Sequence, residues 1–274
     1  MHYSKLLGAS SGYLTEAELD KLGRHKRDED QIFQDILTTL QINTNNYETP
    51  SKVAHRLSKT KPFIETVFKD GASDPTELLA QRMDRCLLSA LCSCLPEGTH
   101  VLETGTCSGM TTAFIAEGLS RTRRNLVFSV DLPTSEIVTQ IHHIPYAEVG
   151  KDVPERLRNR VVYITEDAKS ALPRILLEHN VGLFVHDSLH TQTHQLYEYV
   201  TSRALMPVNS ILVSDDILWN SAFLYFVEAF DLPYWVCASN PNYGFALNRP
   251  HITDSGYIWG RIKTDTYLSS LIRE

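Results

Sequence analysis

The 274-residue sequence lacks the features that mark several large classes of protein. It contains no apolar run long enough to cross a bilayer, so no transmembrane helix is expected. Its five cysteines are an odd number and include no Cys-x-x-Cys pair, which argues against a disulfide framework. The N-terminal residues lead into no long apolar segment and therefore predict no signal peptide. These absences predict a cytoplasmic protein.

Positive charge is also scarce. The chain has 26 Lys plus Arg against 33 Asp plus Glu, which gives a net charge of −7. A mildly acidic protein is a poor general binder of nucleic acid or of anionic membranes. We therefore expect a small-molecule partner, no nucleic acid and no membrane, and a homodimer stays open.

What the sequence does contain is an alternation of short apolar runs with helical patterns. The first run opens at His100, and later runs cover 125–131, 161–165, 181–187, 210–216, 234–238 and 243–248. This alternation predicts a doubly wound, mostly parallel α/β sheet with helices on both faces. In such a sheet, ligands bind outside the carboxyl ends of the strands.

Residues 1–72 are polar and helical in pattern and do not show this alternation. Thr15 and Glu18 have the spacing of a capping box at a helix start. We expect this segment to form an N-terminal helical cap or lid over the ligand site, and a dimerisation segment is the alternative. Residues 73–274 then form the ligand-binding domain.

A strong helix signal opens that domain. Asp74 suits the N-cap position and Pro75 the first turn, and apolar residues keep a helical period as far as Cys94. The pattern predicts one continuous helix between these points.

The most informative stretch runs from His100 to Gly109. It predicts a strand, a tight turn containing Gly105 and Gly109, and the start of a helix. The spacing differs from the G-x-G-x-x-G pattern of dinucleotide sites, and Glu103 closes the strand with a carboxylate. A carboxylate would repel a pyrophosphate but attract an ammonium or sulfonium group, so S-adenosylmethionine suits this turn better than NAD. An ordinary strand–helix turn with a glycine for packing is the alternative.

Predicted strands end in carboxylates at four places: Glu103, Asp131, Asp187 and the pair Asp215 and Asp216. Asp131 follows Gly109 by 22 residues, the distance at which doubly wound folds place an acid on ribose hydroxyls. The last two strands, if neighbours, bring together Asp187, Asp215 and Asp216. Three hard oxygen ligands suit Mg²⁺ or Mn²⁺. The alternative is that these aspartates cap helices.

Two other kinds of metal site involve histidines beside Asp187. His186 and His190 have the i, i+4 spacing of a zinc-protease helix, but His186 ends an apolar strand, so the two rings should diverge. The residue between them that would serve as base is also Asp rather than Glu, and we reject zinc. A facial iron triad fits the composition but leaves the glycine turn without a role.

Residues 101–109, Val-Leu-Glu-Thr-Gly-Thr-Cys-Ser-Gly, resemble motif I of class I S-adenosylmethionine-dependent methyltransferases. Two further segments, Asp-Ser-Leu-His at 187–190 and Ser-Asp-Asp-Ile-Leu-Trp-Asn at 214–220, are similar to metal-dependent O-methyltransferases of the catechol and caffeoyl-CoA type and to related bacterial natural-product enzymes. The resemblance covers roughly residues 75–250. It implies the Rossmann-like fold of that class.

The resemblance implies S-adenosylmethionine and Mg²⁺ or Mn²⁺ as cofactors, and it implies roles for individual residues. The metal ligands would be Asp187, Asp215 and Asp216, and Asn220 could join them only if its loop turns inward. The cofactor contacts would be Glu103, Gly105, Thr106, Cys107, Ser108, Gly109, Thr111, Asp131, Asp167, Ala168 and Asp187. The catechol enzymes carry a catalytic Lys three residues after the first metal-binding Asp, where this chain has His190.

The predicted function is a divalent-metal-assisted O-methyltransferase that acts on a hydroxyl of a small molecule of the secondary-metabolite type. A metal lowers the pKa of a bound hydroxyl, and His190 could accept its proton because an unperturbed imidazole titrates near neutrality. One alternative is N- or C-methylation or cyclisation without a metal. The other is a non-catalytic module that only binds the cofactor.

Overall fold

The computed structural model describes residues 14–69, 74–132 and 149–250. Within them, eight strands form one sheet in the order β1-β7-β8-β6-β5-β2-β3-β4. The strands are β1 Lys26–Arg27, β2 His100–Thr104, β3 Val127–Asp131, β4 Val161–Thr165, β5 Val181–His186, β6 Ile211–Ser214, β7 Tyr234–Cys237 and β8 Gly244–Leu247. Every pairing is parallel except those of β8 with β6 and β7. The predicted doubly wound, mostly parallel sheet is confirmed.

Helices connect these strands and cover both faces of the sheet. In chain order they are α1 Glu16–Arg24, α2 Glu29–Thr39, α3 Pro50–Ser58, α4 Lys61–Phe68, α5 Pro75–Ala80, α6 Met83–Ser93, α7 Met110–Leu119, α8 Ala168–Glu178, α9 Gln192–Leu205 and α10 Ala222–Ala229. Short 3₁₀ helices cover Thr44–Asn46 and Glu155–Arg160. In the described part of the chain, none of the helices combines the length and apolarity that a bilayer crossing needs.

The core consists of two apolar layers, one on each face of the sheet. Along β2, Val101 packs with α2, α6 and α7, whereas Leu102 packs on the opposite face with α8, α9 and α10. Both side chains are fully buried, as parallel strands covered on two faces require. Truncating either one would leave a cavity and cost about 2–5 kcal/mol.

The N-terminal segment packs into the first of these layers. The rings of Phe63 in α4 and Phe114 in α7 lie edge to face with centroids 5.1 Å apart. The predicted capping box at Thr15 and Glu18 is present in both directions. The segment also adds β1, which was not predicted because two charged residues carry no strand pattern. Its role as a cap, a lid or a dimerisation segment stays a prediction, and residues 1–13 and 70–72 lie outside the described part.

The helix predicted from Asp74 to Cys94 is interrupted, and this part of the prediction was wrong. Asp74 caps the Thr76 amide as expected, but α5 ends at Ala80, and α6 begins at Met83. The break puts Asp84 and Arg85 in the first turn of α6, where their side chains approach the carboxyl end of β6. An apolar period cannot reveal such a break, because both helices keep the same buried face.

Candidate active site

The glycine turn after β2 lies directly beside the end of the neighbouring strand β5. Gly105 has φ +90°, and a Cβ there would stand 1.8 Å from the carbonyl oxygen of Asp187. Gly109 has φ +94°, and its Cβ would stand 2.8 Å from Cα of Gly150. A side chain at Gly105 is therefore excluded both by the backbone conformation and by a neighbouring strand. Gly109 is the N-cap of α7 and offers no side chain to the amides of its first turn.

Asp131, at the end of β3, holds this turn in place. Its Oδ2 accepts the Cys107 amide at 2.8 Å and its Oδ1 accepts the Leu132 amide at 2.8 Å. Cys107 itself has φ +49°, an unusual value for a residue with a side chain. A carboxylate has further lone pairs after accepting two bonds, so Asp131 keeps acceptor capacity for ribose hydroxyls. Its cofactor role stays a prediction.

Glu103 lies inside the protein, beneath the turn. It is 0% exposed, and its Oε2 accepts hydroxyl hydrogen bonds of 2.6 Å from both Thr112 and Ser129. Burial raises the pKa of this carboxyl to about 7. Its Oε1 is buried and has no hydrogen-bond partner in the described part of the chain. The proposed contact between Glu103 and a cofactor ammonium stays a prediction, and the orphaned oxygen is compatible with it.

The other predicted cofactor residues lie along the same edge of the sheet. Thr106 shares a 2.7 Å hydroxyl contact with Ser129, and the carbonyl of Ser108 accepts the Asp152 amide at 2.8 Å. Asp167 caps α8 just beyond the end of β4, and Ala168 is the first residue of that helix. Because β4 pairs with β3, this cap lies on the Asp131 side of the glycine turn.

Three predicted metal-binding residues come together, since β5 and β6 are neighbours. Asp215, however, is already engaged: its Oδ2 accepts Nη2 of Arg85 at 2.6 Å and its Oδ1 accepts the Asp216 amide at 2.8 Å. The same guanidinium donates through Nη1 to Oδ2 of Asp84 at 2.5 Å. Arg85 was not singled out from the sequence.

The two remaining aspartates have different surroundings. Oδ2 of Asp187 accepts the Thr111 hydroxyl at 3.4 Å. Burial of the Asp187 carboxyl and, as the second cause, the nearby charge of Asp215 raise its pKa well above the ordinary value. Asp216 has φ +54° and accepts Nδ2 of Asn242 on its Oδ1. Burial, and then Asp215, raise the pKa of Asp216 to about 6.

These contacts do not fit a divalent metal held by Asp187, Asp215 and Asp216. In the described residues no group of three or more His, Cys, Asp or Glu is arranged to hold a metal ion. The positively charged guanidinium of Arg85 is already hydrogen-bonded to Asp215. A divalent ion on the same oxygen would lie roughly 4 Å from the guanidinium of Arg85, and it would have to share that oxygen with this cation or displace it.

His190 reaches the same cluster. Its Nε2 lies 3.1 Å from Oδ2 of Asp216, within ion-pair distance. The Trp219 ring stands 5.4 Å away, centroid to centroid, and is 61% exposed; Leu189 is exposed as well. Asn220 turns inward, but its side-chain amide donates to the His190 carbonyl at 3.1 Å and to Gln195 at 2.6 Å. It therefore stabilises the loop that carries His190.

A buried network beside His190 was not foreseen. Glu198 in α9 is 0% exposed and contacts Nδ1 of His186 at 2.6 Å, Nε2 of His194 at 2.9 Å and the hydroxyl of Thr104 at 2.7 Å. Burial alone would raise the pKa of Glu198, but the two histidines outweigh it and hold that pKa well below its usual range. The network joins α9 to the ends of β2 and β5. A glutamate in mid-helix gives no sequence signal of this kind.

Comparison with known proteins bears on the same region. Residues 102–217 match the model of a family described as a methyltransferase domain. The match begins within β2 and ends one residue after Asp216, so it spans the glycine turn and the three strand ends that carry Asp131, Asp187, and Asp215 with Asp216. No curated protein matches the sequence.

Remote likenesses to solved structures were also found. An O-methyltransferase from Bacillus cereus in complex with SAH is 12% identical, over 82% of this chain and 98% of its own, with a TM-score of 0.42. The SAH-bound methyltransferase PaMTH1 from Podospora anserina is 13% identical, over 70% and 88%, with a TM-score of 0.45. The O-methyltransferase TomG from Streptomyces achromogenes, in complex with SAM and involved in tomaymycin synthesis, is 14% identical, over 70% and 89%, with a TM-score of 0.39. Likenesses this remote carry no argument about acceptor or metal.

Proposed function

We propose that this chain, whose residues 102–217 form a class I S-adenosylmethionine-dependent methyltransferase domain, transfers a methyl group to a hydroxyl oxygen of a small molecule. The domain match and the sheet support the reaction class. The choice of oxygen rests on one observation, the pair formed by His190 and Asp216 at 3.1 Å. His190 lies on the loop that follows Asp187, whose carbonyl oxygen closely approaches Gly105, and Asp216 follows the neighbouring strand β6.

A base at the carboxyl edge of the sheet favours an oxygen acceptor. A neutral hydroxyl is a weak nucleophile, and even a phenol ionises only near pH 10, so it must lose its proton as it attacks. A neutral amine already presents a lone pair and needs no base before the transfer. The imidazole of His190 can accept the hydroxyl proton, and the positive charge it gains then lies beside the carboxylate of Asp216.

The other residues bind and orient. S-adenosylmethionine, when bound, supplies the electrophilic methyl group. Gly105 and Gly109 let the backbone come close to the cofactor, and Asp131 offers acceptors to its ribose hydroxyls. With the cofactor bound, the O–CH₃ bond would form as the S–CH₃ bond breaks, SAH would be the leaving group, and His190 would take the hydroxyl proton. Alignment of the two reacting groups in a closed site can supply several kcal/mol, on the order of 7–11 in favourable cases.

Divalent-metal assistance stays a prediction, and the contacts of Arg85 with Asp215 do not favour it. An acceptor of the secondary-metabolite type, a cytoplasmic location and a homodimer are likewise predictions from the sequence.

The decisive experiment is an acceptor screen with product identification. The purified chain would be incubated with S-adenosylmethionine and a panel of phenols, catechols, aliphatic alcohols and amines, and the position of the new methyl group would be read by mass spectrometry and NMR. An O-methyl product that His190→Ala forms about 10²-fold more slowly, or slower still, supports the proposal. Methylation only at nitrogen or carbon would refute it, and SAH binding without turnover on any acceptor class would favour the cofactor-binding module.

A further inference from the structure

A guanidinium stands in the acidic cluster where the resemblance predicts a metal ion. We infer that Arg85 is the built-in cation of this site and takes the place of the divalent ion, so that the site works without one. The inference rests on the proposed function for the identity of the site as the acceptor side of a methyltransferase. Its test reads metal binding directly and does not need an acceptor.

The contacts of Arg85 bridge two elements of the fold. Nη1 donates to Asp84 in α6 at 2.5 Å, and Nη2 donates to Asp215 at the end of β6 at 2.6 Å. The planar guanidinium thus pairs with one carboxylate through each terminal nitrogen, a geometry that lysine cannot reproduce. Asn240 donates to the same oxygen of Asp84 at 2.7 Å and completes its surroundings.

The guanidinium is enclosed as well as paired. Its carbon lies 4.3 Å above the ring centroid of Tyr243, which is fully buried, and the Arg85 residue is only 9% exposed. A buried ion pair that loses one partner leaves an uncompensated charge, so the arginine cannot swing away at low cost. A metal ion would have to displace this arginine or share Asp215 with it.

Arg85 also acts on the base through two intermediaries. It holds Oδ2 of Asp215, whose Oδ1 accepts the amide of Asp216 at 2.8 Å. Asp216 has φ +54° and places its own carboxylate beside His190. Arg85 is therefore a positioning residue. A guanidinium in this place cannot act as a Lewis acid on the acceptor oxygen, so proton removal falls to His190.

The first experiment asks whether the wild-type chain binds a divalent ion at all. Mn²⁺ would be titrated into the purified, chelator-treated protein with and without SAH, and bound ion would be read from the loss of the free-Mn²⁺ signal in electron paramagnetic resonance. We expect no saturable binding up to millimolar concentrations. Saturable one-to-one binding that Asp215→Asn abolishes would overturn the inference.

The second experiment removes the guanidinium. Arg85→Met keeps the length of the side chain but leaves the carboxylates without their cation, so we expect this variant to gain saturable Mn²⁺ binding that Arg85→Met combined with Asp215→Asn loses. Arg203→Met is the matched control, because Arg203 also lies over an aromatic ring, at 4.2 Å, but donates to a backbone carbonyl. No gain of binding in folded Arg85→Met would count against the inference.

Arg85→Lys covers the case in which Arg85→Met does not fold. Lysine keeps the unit charge, so this variant should still exclude Mn²⁺, and saturable binding would overturn the inference. Calorimetry with SAH on the same proteins separates the two proposals. A wild-type chain that binds neither SAH nor Mn²⁺ would refute the proposed function, while the arginine inference would be judged on the Arg85 variants alone.

Discussion

Nε2 of His190 lies 3.1 Å from Oδ2 of Asp216, two residues that leave neighbouring parallel strands. The geometry arises because β5 and β6 end at the same edge of the sheet and the loops that follow them turn toward each other. Asp216 faces the histidine from a left-handed backbone conformation, at φ +54°, that strand residues rarely adopt. Unusual backbone of this sort often marks a functional position.

The first prediction concerns this pair. His190→Ala should lower kcat by about 10²-fold or more, because a positioned general base commonly contributes that much. Affinity for SAH should hardly change, since the ring contacts Asp216 and Trp219 rather than the glycine turn. Steady-state kinetics and calorimetry on the same preparation check both parts. A near-normal kcat in His190→Ala would assign His190 a structural role.

The second prediction concerns Asp131. Asp131→Ala should weaken SAH binding at least about tenfold, because a hydrogen bond to a charged group is worth about 1.5–3 kcal/mol. Asp131 also accepts the Cys107 amide, so circular dichroism must show that the variant is folded. Asp28→Ala is a suitable control, since Asp28 likewise accepts a backbone amide but caps α2. Unchanged SAH affinity in folded Asp131→Ala would rule out the ribose contact.

The parallel strands and their acidic ends could be predicted from the sequence. Each of the predicted strands is a short apolar run, and the carboxyl ends of neighbouring parallel strands meet at one edge, so Asp187 and Asp215 were expected to converge if β5 and β6 are neighbours. The observed pairing of β5 with β6 confirms their proximity. Local patterns of this kind depend only on residues close together in the chain.

The partner of Asp215 could not be predicted in this way. Arg85 is 130 residues away along the chain and sits in a helical pattern that gives no reason to single it out. Glu198 was missed as well, because its partners Thr104 on β2 and His186 on β5 reach α9 only through the folded sheet. Such contacts are set by the crossing of elements in the folded chain rather than by local periodicity.

The third prediction concerns Gly105. Gly105→Ala should destabilise the protein by more than about 1 kcal/mol, because alanine is disfavoured at positive φ and its Cβ would collide with the Asp187 carbonyl. SAH binding should fall with it. Gly23→Ala in α1 is the matched control, since nothing lies within 4 Å of a Cβ there. It should stabilise by about 0.5–1 kcal/mol as a helical substitution. Equal effects of the two changes on urea unfolding would contradict the proposed role of the turn.

The last prediction is a pH dependence of stability that originates at Glu103. Burial raises the pKa of this carboxyl from 4.5 to about 7 in the folded protein. Below pH 4.5 the carboxyl is protonated in both the folded and the unfolded state, so its raised pKa costs no stability. Between pH 4.5 and 7 only the unfolded chain releases the proton, so the free energy of unfolding falls as pH rises. The full loss above pH 7 is on the order of 3 kcal/mol.

Glu103→Gln imitates the protonated acid and can still accept from Thr112 and Ser129. Its free energy of unfolding, measured by urea titration of the ligand-free protein, should exceed that of the wild type by a margin that grows between pH 4.5 and 7. Glu117→Gln is the matched control: Glu117 is also buried, but it pairs with Arg56 and Arg156, so glutamine there should destabilise. A constant difference between Glu103→Gln and wild type across this range would show that folding does not raise the pKa of Glu103.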